Sequence, residues 1–292
     1  MSTVALPAPG REARIARRET LRQLLRSPTF ITGAVIVGFW IFCALFGTQV
    51  APHDPQDQSF TPLLKPAGGH PFGTDSLGRD VLSRVLVGAS DILKIAPLAT
   101  LLGIAGGTVI GLVTGYFRGL TDNTISRIVD AWLALPVIVI AVTALVALGT
   151  STITLVLVIG VVFMPIVSRT VRAAVLAERQ LEYVQAARLR GERAPYVMFV
   201  EILPNVMGPI IVEATVRLGY AIFTIAGLTF LGFGVQPPSP DWALQIRDGY
   251  QLLNDTAHQG NYWIVVFPAA AIALLVIGVN LIADGISRTL ER

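Results

Sequence analysis

Few residues in this 292-residue chain have the type and spacing to do chemistry. A phosphate-cradling loop ends in a lysine that follows glycine, whereas Lys65 and Lys94, the only two lysines, both follow leucine. Any ATP chemistry coupled to this chain therefore belongs to another one. His53, His70 and His258 are spread along the sequence without the short spacing of a ligand set, so no metal is expected. No nucleophile elbow or intramembrane histidine accompanies a Ser or Asp, which leaves no hydrolase constellation. Cys43 is the one cysteine and sits in an apolar run, where it reads as a small buried hydrophobe that has no partner for an internal disulfide.

Two sets of residues remain. Glu213 and Arg217 lie four positions apart in an apolar stretch, so on one helix they can pair and offset the cost of burying charge. They either snorkel to the membrane interface or line a pathway. The second set lies in the stretch 177–204, where Glu182, Gln185, Ala186, Ala187, Arg188 and Gly191 precede Leu203-Pro204. A short polar helix stopped by Gly191, with Pro195 beyond, fits that order. The small Ala186 and Ala187 would admit a partner surface close to the backbone, with Glu182 and the arginines as a polar rim. A solvated connecting helix is the alternative reading.

The elements that carry these residues are membrane spans. The chain is 53% hydrophobic and 14% charged, with a mean hydropathy of +0.66, which a water-exposed surface would not tolerate. Charge-free windows give about six spans, at 29–50, 92–117, 128–148, 153–170, 210–235 and 263–284. The cluster Gly149-Thr150-Ser151-Thr152 marks a tight hairpin between the third and fourth. Sixteen of the 22 lysines and arginines fall on the side of the amino end and the 169–193 segment, which places both termini in the cytoplasm. The first span reads as an uncleaved anchor rather than a signal peptide. No basic polar domain exists to bind nucleic acid.

Two outer loops are long. Residues 51–91 open with Pro52, Pro55, Pro62 and Pro66, which favours an extended excursion; Asp75 or Ser76 is the expected cap of a helix entering the second span. Residues 236–262 hold Trp242, and Trp263 follows; both fit anchors at the lipid headgroup level.

Several blocks resemble the permease subunits of ATP-binding-cassette importers for dipeptides and oligopeptides, the C-type member of a two-permease pair. They are Leu25-Arg26-Ser27-Pro28, Ala51-Pro52-His53-Asp54-Pro55 and His70-Pro71-Phe72-Gly73-Thr74-Asp75-Ser76-Leu77-Gly78-Arg79-Asp80, with Arg127-Ile128-Val129-Asp130, Leu135-Pro136, Phe230-Leu231-Gly232-Phe233-Gly234-Val235-Gln236-Pro237-Pro238 and Asn280-Leu281-Ile282-Ala283-Asp284-Gly285 further on. The stretch with Gln185-Ala186-Ala187, Gly191 and Leu203-Pro204 is similar to that family's coupling signature, except that its usual glutamate is Gln185.

The resemblance implies an all-α, polytopic type I importer permease fold: a basic cytoplasmic tail at 1–28, a first span at 29–50, an outer segment at 51–87, a core at 88–284 and a short cytoplasmic tail at 285–292. It also implies partners, namely a sister permease, two ATPase subunits or one fused pair that bind ATP and Mg, an extracytoplasmic peptide-binding protein, and the lipid of a bacterial cytoplasmic membrane. Glu182, Gln185, Ala186, Ala187, Arg188, Gly191, Leu203 and Pro204 would then couple to the ATPase. A nickel chelate, haem or glutathione is the alternative cargo within the architecture. A proton-coupled secondary transporter or an intramembrane enzyme is the alternative outside it.

Overall fold

The computed structural model describes residues 23–254 and 260–290. Arg11, Arg14, Arg17, Arg18, Arg22, His258 and Arg292 lie outside the described residues. Among those described the chain is all α-helical, without a strand. Helix α1 (Pro28–Val50) starts where Ser27 accepts from the Phe30 amide and Pro28 fills a first-turn position that needs no N–H. Helix α2 (Val81–Phe117) runs for 37 residues. Its cap is Asp80, which accepts from the Ser83 amide at 2.8 Å, and not Asp75 or Ser76 as expected. Asp75 is instead engaged by the Arg79 guanidinium at 2.6 Å.

The third span is not one straight helix. Helices α3 (Gly119–Leu133) and α4 (Val137–Leu148) meet at 87°, because Pro136 has no amide to continue the ladder and biases Leu135 away from helical backbone. After α4 the expected hairpin forms: Gly149 takes φ +86° and Ser151 caps α5 (Thr152–Glu178) by accepting from the Thr154 amide. Then come α6 (Glu182–Leu189), a short turn at Ala194–Tyr196 that passes into a π-helical stretch Val197–Ile202, α7 (Met207–Phe230), α8 (Trp242–Tyr250) and α9 (Trp263–Leu290). Helix α7 ends at Phe230 rather than 235, where the chain turns through Gly232 at φ +92°.

Among the described residues, helices α2 and α5 form the most extensive packing. Along α2, glycine recurs every fourth residue at Gly103, Gly107, Gly111 and Gly115. Facing them in order on α5 are Gly160 and Phe163, then Val167, Val171 and Val175. A Cβ on Gly107, Gly111 or Gly115 would stand 2.5–2.7 Å from the facing valine Cβ, so only glycine permits this approach. The paired numbers rise together, so the two helices run parallel. Their carboxyl ends therefore share one face, and the intervening α3/α4 pair must return across the layer. That makes the bent pair a span and brings the total among the described residues to six.

Candidate functional site

At the shared carboxyl end of α2 and α5 lies a second apolar core, built from Leu112, Val171, Val175, Val184, Ala187, Met198, Ile202 and Val206, with Tyr183 and Leu203 packed against it. Helix α6 rests on this core through one face. Val184 and Ala187 are fully buried there, and the Arg188 guanidinium lies 4.5 Å from the centre of the Tyr116 ring, on the last turn of α2. The opposite face carries Glu182, Gln185, Ala186 and Leu189, all exposed and spaced as neighbours on a helix. Leu189 is 90% exposed. The two alanines, both expected at a close partner contact, differ in burial: Ala186 is exposed and Ala187 is not. Ala187 is part of the platform beneath.

Local chemistry explains the shape of the segment. Gly191 adopts φ +80°, and the Gly191 amide donates to the Arg188 carbonyl at 3.0 Å while the Glu192 amide reaches the Ala187 carbonyl at 3.2 Å. This is a glycine-terminated helix end that satisfies the last carbonyls, as the sequence predicts. The Gln185 side chain donates to the Gln180 carbonyl at 3.0 Å, a bond a glutamate carboxylate could not make. Glutamine at this position therefore has a local use. Tyr183 donates to Glu178 at 2.7 Å and accepts from Asn205 at 3.1 Å, stitching the end of α5 to the turn after Leu203-Pro204. Burial and the neighbouring carboxylate push its phenol up to about 12. Pro204 is exposed beside that turn.

Glu213 and Arg217 do pair on α7, at 2.5 Å, with side chains only 12% and 16% exposed. Thr170 of α5 donates to Glu213 at 3.3 Å, and the Arg217 guanidinium lies over the Tyr220 ring. A cavity of about 470 Å³ opens beside them, lined by Thr170, Asn205, Pro209, Val212, Glu213 and Ser287. Asp130, at the far end of α3, pairs with Arg169.

On the opposite face the loop from Ala51 to Asp80 is closed by polar contacts that spacing alone did not reveal. Arg84 is 1% exposed; it donates to the Pro55 carbonyl at 3.1 Å and the Ser239 carbonyl at 3.3 Å, and lies 3.7 Å from Asp75. Trp242 and Trp263 are not headgroup anchors. Both are buried, their indole N–H groups donating to the Val85 carbonyl at 2.7 Å and the Thr74 carbonyl at 3.4 Å. Asp241 caps α8 by accepting from the Ala243 and Leu244 amides, and burial pushes its carboxyl up to about 6. The histidines are not all scattered either, since His53 and His70 meet beside Asp80.

Six spans in an all-α chain define a multi-pass membrane protein. Residues 107–292 match the model for binding-protein-dependent transport system inner membrane components, and residues 17–66 match the N-terminal TM domain of oligopeptide transport permease C. A dipeptide transport system permease protein of Alkalihalophilus pseudofirmus is 36% identical over 94% of this chain and 89% of its own. The probable D,D-dipeptide transport system permease protein of Escherichia coli is 36% identical over 97% and 94%. A glutathione transport system permease protein of Pectobacterium atrosepticum is 32% identical over 94% and 90%. In fold, the chain superimposes with a TM-score of 0.56 on a chain of the inward-facing MetNI methionine ABC transporter, at 20% identity over 72% of this chain and 97% of that one. The chain belongs to the binding-protein-dependent transport system inner membrane component family. Permeases of this family are not themselves catalytic, and membership displaces the secondary-transporter and intramembrane-enzyme readings.

Proposed function

We propose that this chain is one of two permease subunits of an ATP-driven importer of dipeptides or short oligopeptides, with α6 as the element that docks on a partner ATPase. One observation carries the docking: α6 is held to the bundle by one face, while Glu182, Gln185, Ala186 and the nearly bare Leu189 face away from the chain's own core. Burying one leucine side chain contributes about 1.5–3 kcal/mol, so such a face gains by being covered. The cargo class rests on relatives named for dipeptide transport at 36–38% identity and on the oligopeptide permease match at 17–66. A glutathione cargo, itself a tripeptide, is the second reading, favoured by relatives named for it at 32–34% identity.

The purified chain should hydrolyse no ATP, since neither lysine follows glycine. Reconstituted with a sister permease, the ATPase subunits and a binding protein, it should import labelled dipeptide with ATP consumption. Excess unlabelled dipeptide should compete and glutathione should not. Competition by glutathione alone reverses the cargo order, and uptake that needs no ATPase ends the reading altogether.

The orientation follows from the arginine excess, with the termini and α6 cytoplasmic and Ser59 outside. In a Cys43→Ala background, cysteine at Ser59 should react with a membrane-impermeant maleimide in intact cells. Cysteine at Glu192 should react only after the membrane is opened. The reverse pattern inverts the topology.

A further inference from the structure

We propose that His53, His70 and Asp80 form a binding site for a first-row divalent cation of the Zn²⁺ type on the outer face of the chain. Their ligand atoms come from three separate segments, the exit of α1, the turn closed between Ala67 and His70, and the cap of α2, yet all lie within 4.8 Å of one another. Nitrogen and carboxylate ligands about 2.1 Å from one ion stand about 3.4 Å apart at a tetrahedral angle, so small movements convert this cluster into a coordination shell. His70 Nδ1 already lies 2.9 Å from Asp80 Oδ1. A cation there takes the place of the proton the two atoms share.

The support around the three groups is already built. Asp80 is fully buried, and its other oxygen accepts from the Ser83 amide at 2.8 Å and the Ser83 hydroxyl at 2.7 Å. The same hydroxyl accepts the His53 amide at 3.1 Å, so backbone and carboxylate hang from one atom. Phe60 packs edge-on against both imidazoles, with ring centres 4.8 and 4.6 Å away. Such outer-shell partners orient ligands and are worth 10–100-fold in affinity. Both histidines keep partial exposure, which gives an ion a route in from outside. Two imidazoles and one carboxylate favour Zn²⁺ and its neighbours over Ca²⁺ or Mg²⁺, which seek oxygen shells. Once bound, the ion would fasten the outer loop to the start of α2.

The test is calorimetric titration of Zn²⁺ into the chelator-stripped full-length chain in detergent, with thermal unfolding in parallel. One equivalent should bind and raise the unfolding midpoint, and Mg²⁺ should do neither. His53→Gln and His70→Asn should each weaken binding at least tenfold and cancel the thermal shift. Asparagine at position 70 keeps an amide that can still serve Asp80, and Asp80 itself is left intact because it caps α2. Should His70→Asn fail to elute as a folded species, His53→Gln decides alone. Absence of saturable binding below millimolar Zn²⁺, or unchanged affinity in a folded His53→Gln chain, overturns the site.

Discussion

Gly111→Leu should lower the unfolding midpoint of the chain in detergent by about 10 °C, while Gly38→Leu should leave it unchanged. At Gly111 even a Cβ would approach Val171 Cβ to 2.7 Å and the Ser168 carbonyl to 2.9 Å, and the remaining three carbons of leucine have nowhere to go. Relief requires α2 and α5 to separate along their whole shared face, because the obstacles are backbone and branched side chains rather than flexible tips. Overpacking one such site costs about 1–3 kcal/mol, and lost contact along the stripe adds to it. A midpoint lowered by about 10 °C follows for a chain of this size. Gly38 meets nothing within 4 Å on the exposed side of α1, which makes it the matched control. Size-exclusion profiles and thermal unfolding of the three proteins read the difference. If Gly111→Leu unfolded as the parent does, the parallel α2/α5 contact would not hold this fold.

Ala186→Trp should reduce peptide-stimulated ATP hydrolysis by the reconstituted complex at least tenfold while the chain itself stays folded. Ala186 is exposed on α6, so an indole there has room in the isolated subunit and meets resistance only from a docked surface. Ala187→Trp should behave differently and damage the subunit before any partner arrives, because that position is fully buried against the second core. Gly191→Val meets no atom within 4 Å, so its cost is the backbone strain of φ +80°, about 1–2 kcal/mol. It should lower coupling without disrupting assembly. Gln185→Ala should do less, losing only the bond to the Gln180 carbonyl. Undiminished stimulated hydrolysis by the Ala186→Trp complex would make α6 a connector and remove the docking assignment.

Much of this molecule was legible in residue order. The six spans follow from charge-free windows, and α6 with its terminal Gly191 follows from a polar stretch with a helix stop. What stayed hidden has physical reasons. The inward-facing half of α6 could not be told from its outward half, because Ala186 and Ala187 are identical in type and only the position of Tyr116 and Val175 decides between them. The glycine repeat at 103, 107, 111 and 115 was available as a signal of close helix packing, but its partner Val167-x-x-x-Val171-x-x-x-Val175 is visible only with both helices in view. The two tryptophans misled because an indole at a span end fits a lipid interface and a buried strut equally well. His53 and His70 are neighbours through a loop whose closure rests on buried Arg84 and Asp75, and that closure leaves no periodic trace.

Helix α2 has a further consequence through its length. At 1.5 Å per residue its 37 residues reach about 55 Å, well beyond the roughly 30 Å of a hydrocarbon core. One end is capped by Asp80 at the close of the loop from Ala51, and the other carries Tyr116 beneath Arg188 of α6. The helix is therefore a single lever with a handle on each side of the membrane. A tilt of about 10° about its midpoint would swing each end by roughly 5 Å, given that length. Motion imposed at α6 would then reach the loop before Asp80 along one rod, with Pro97 the place where the rod can yield.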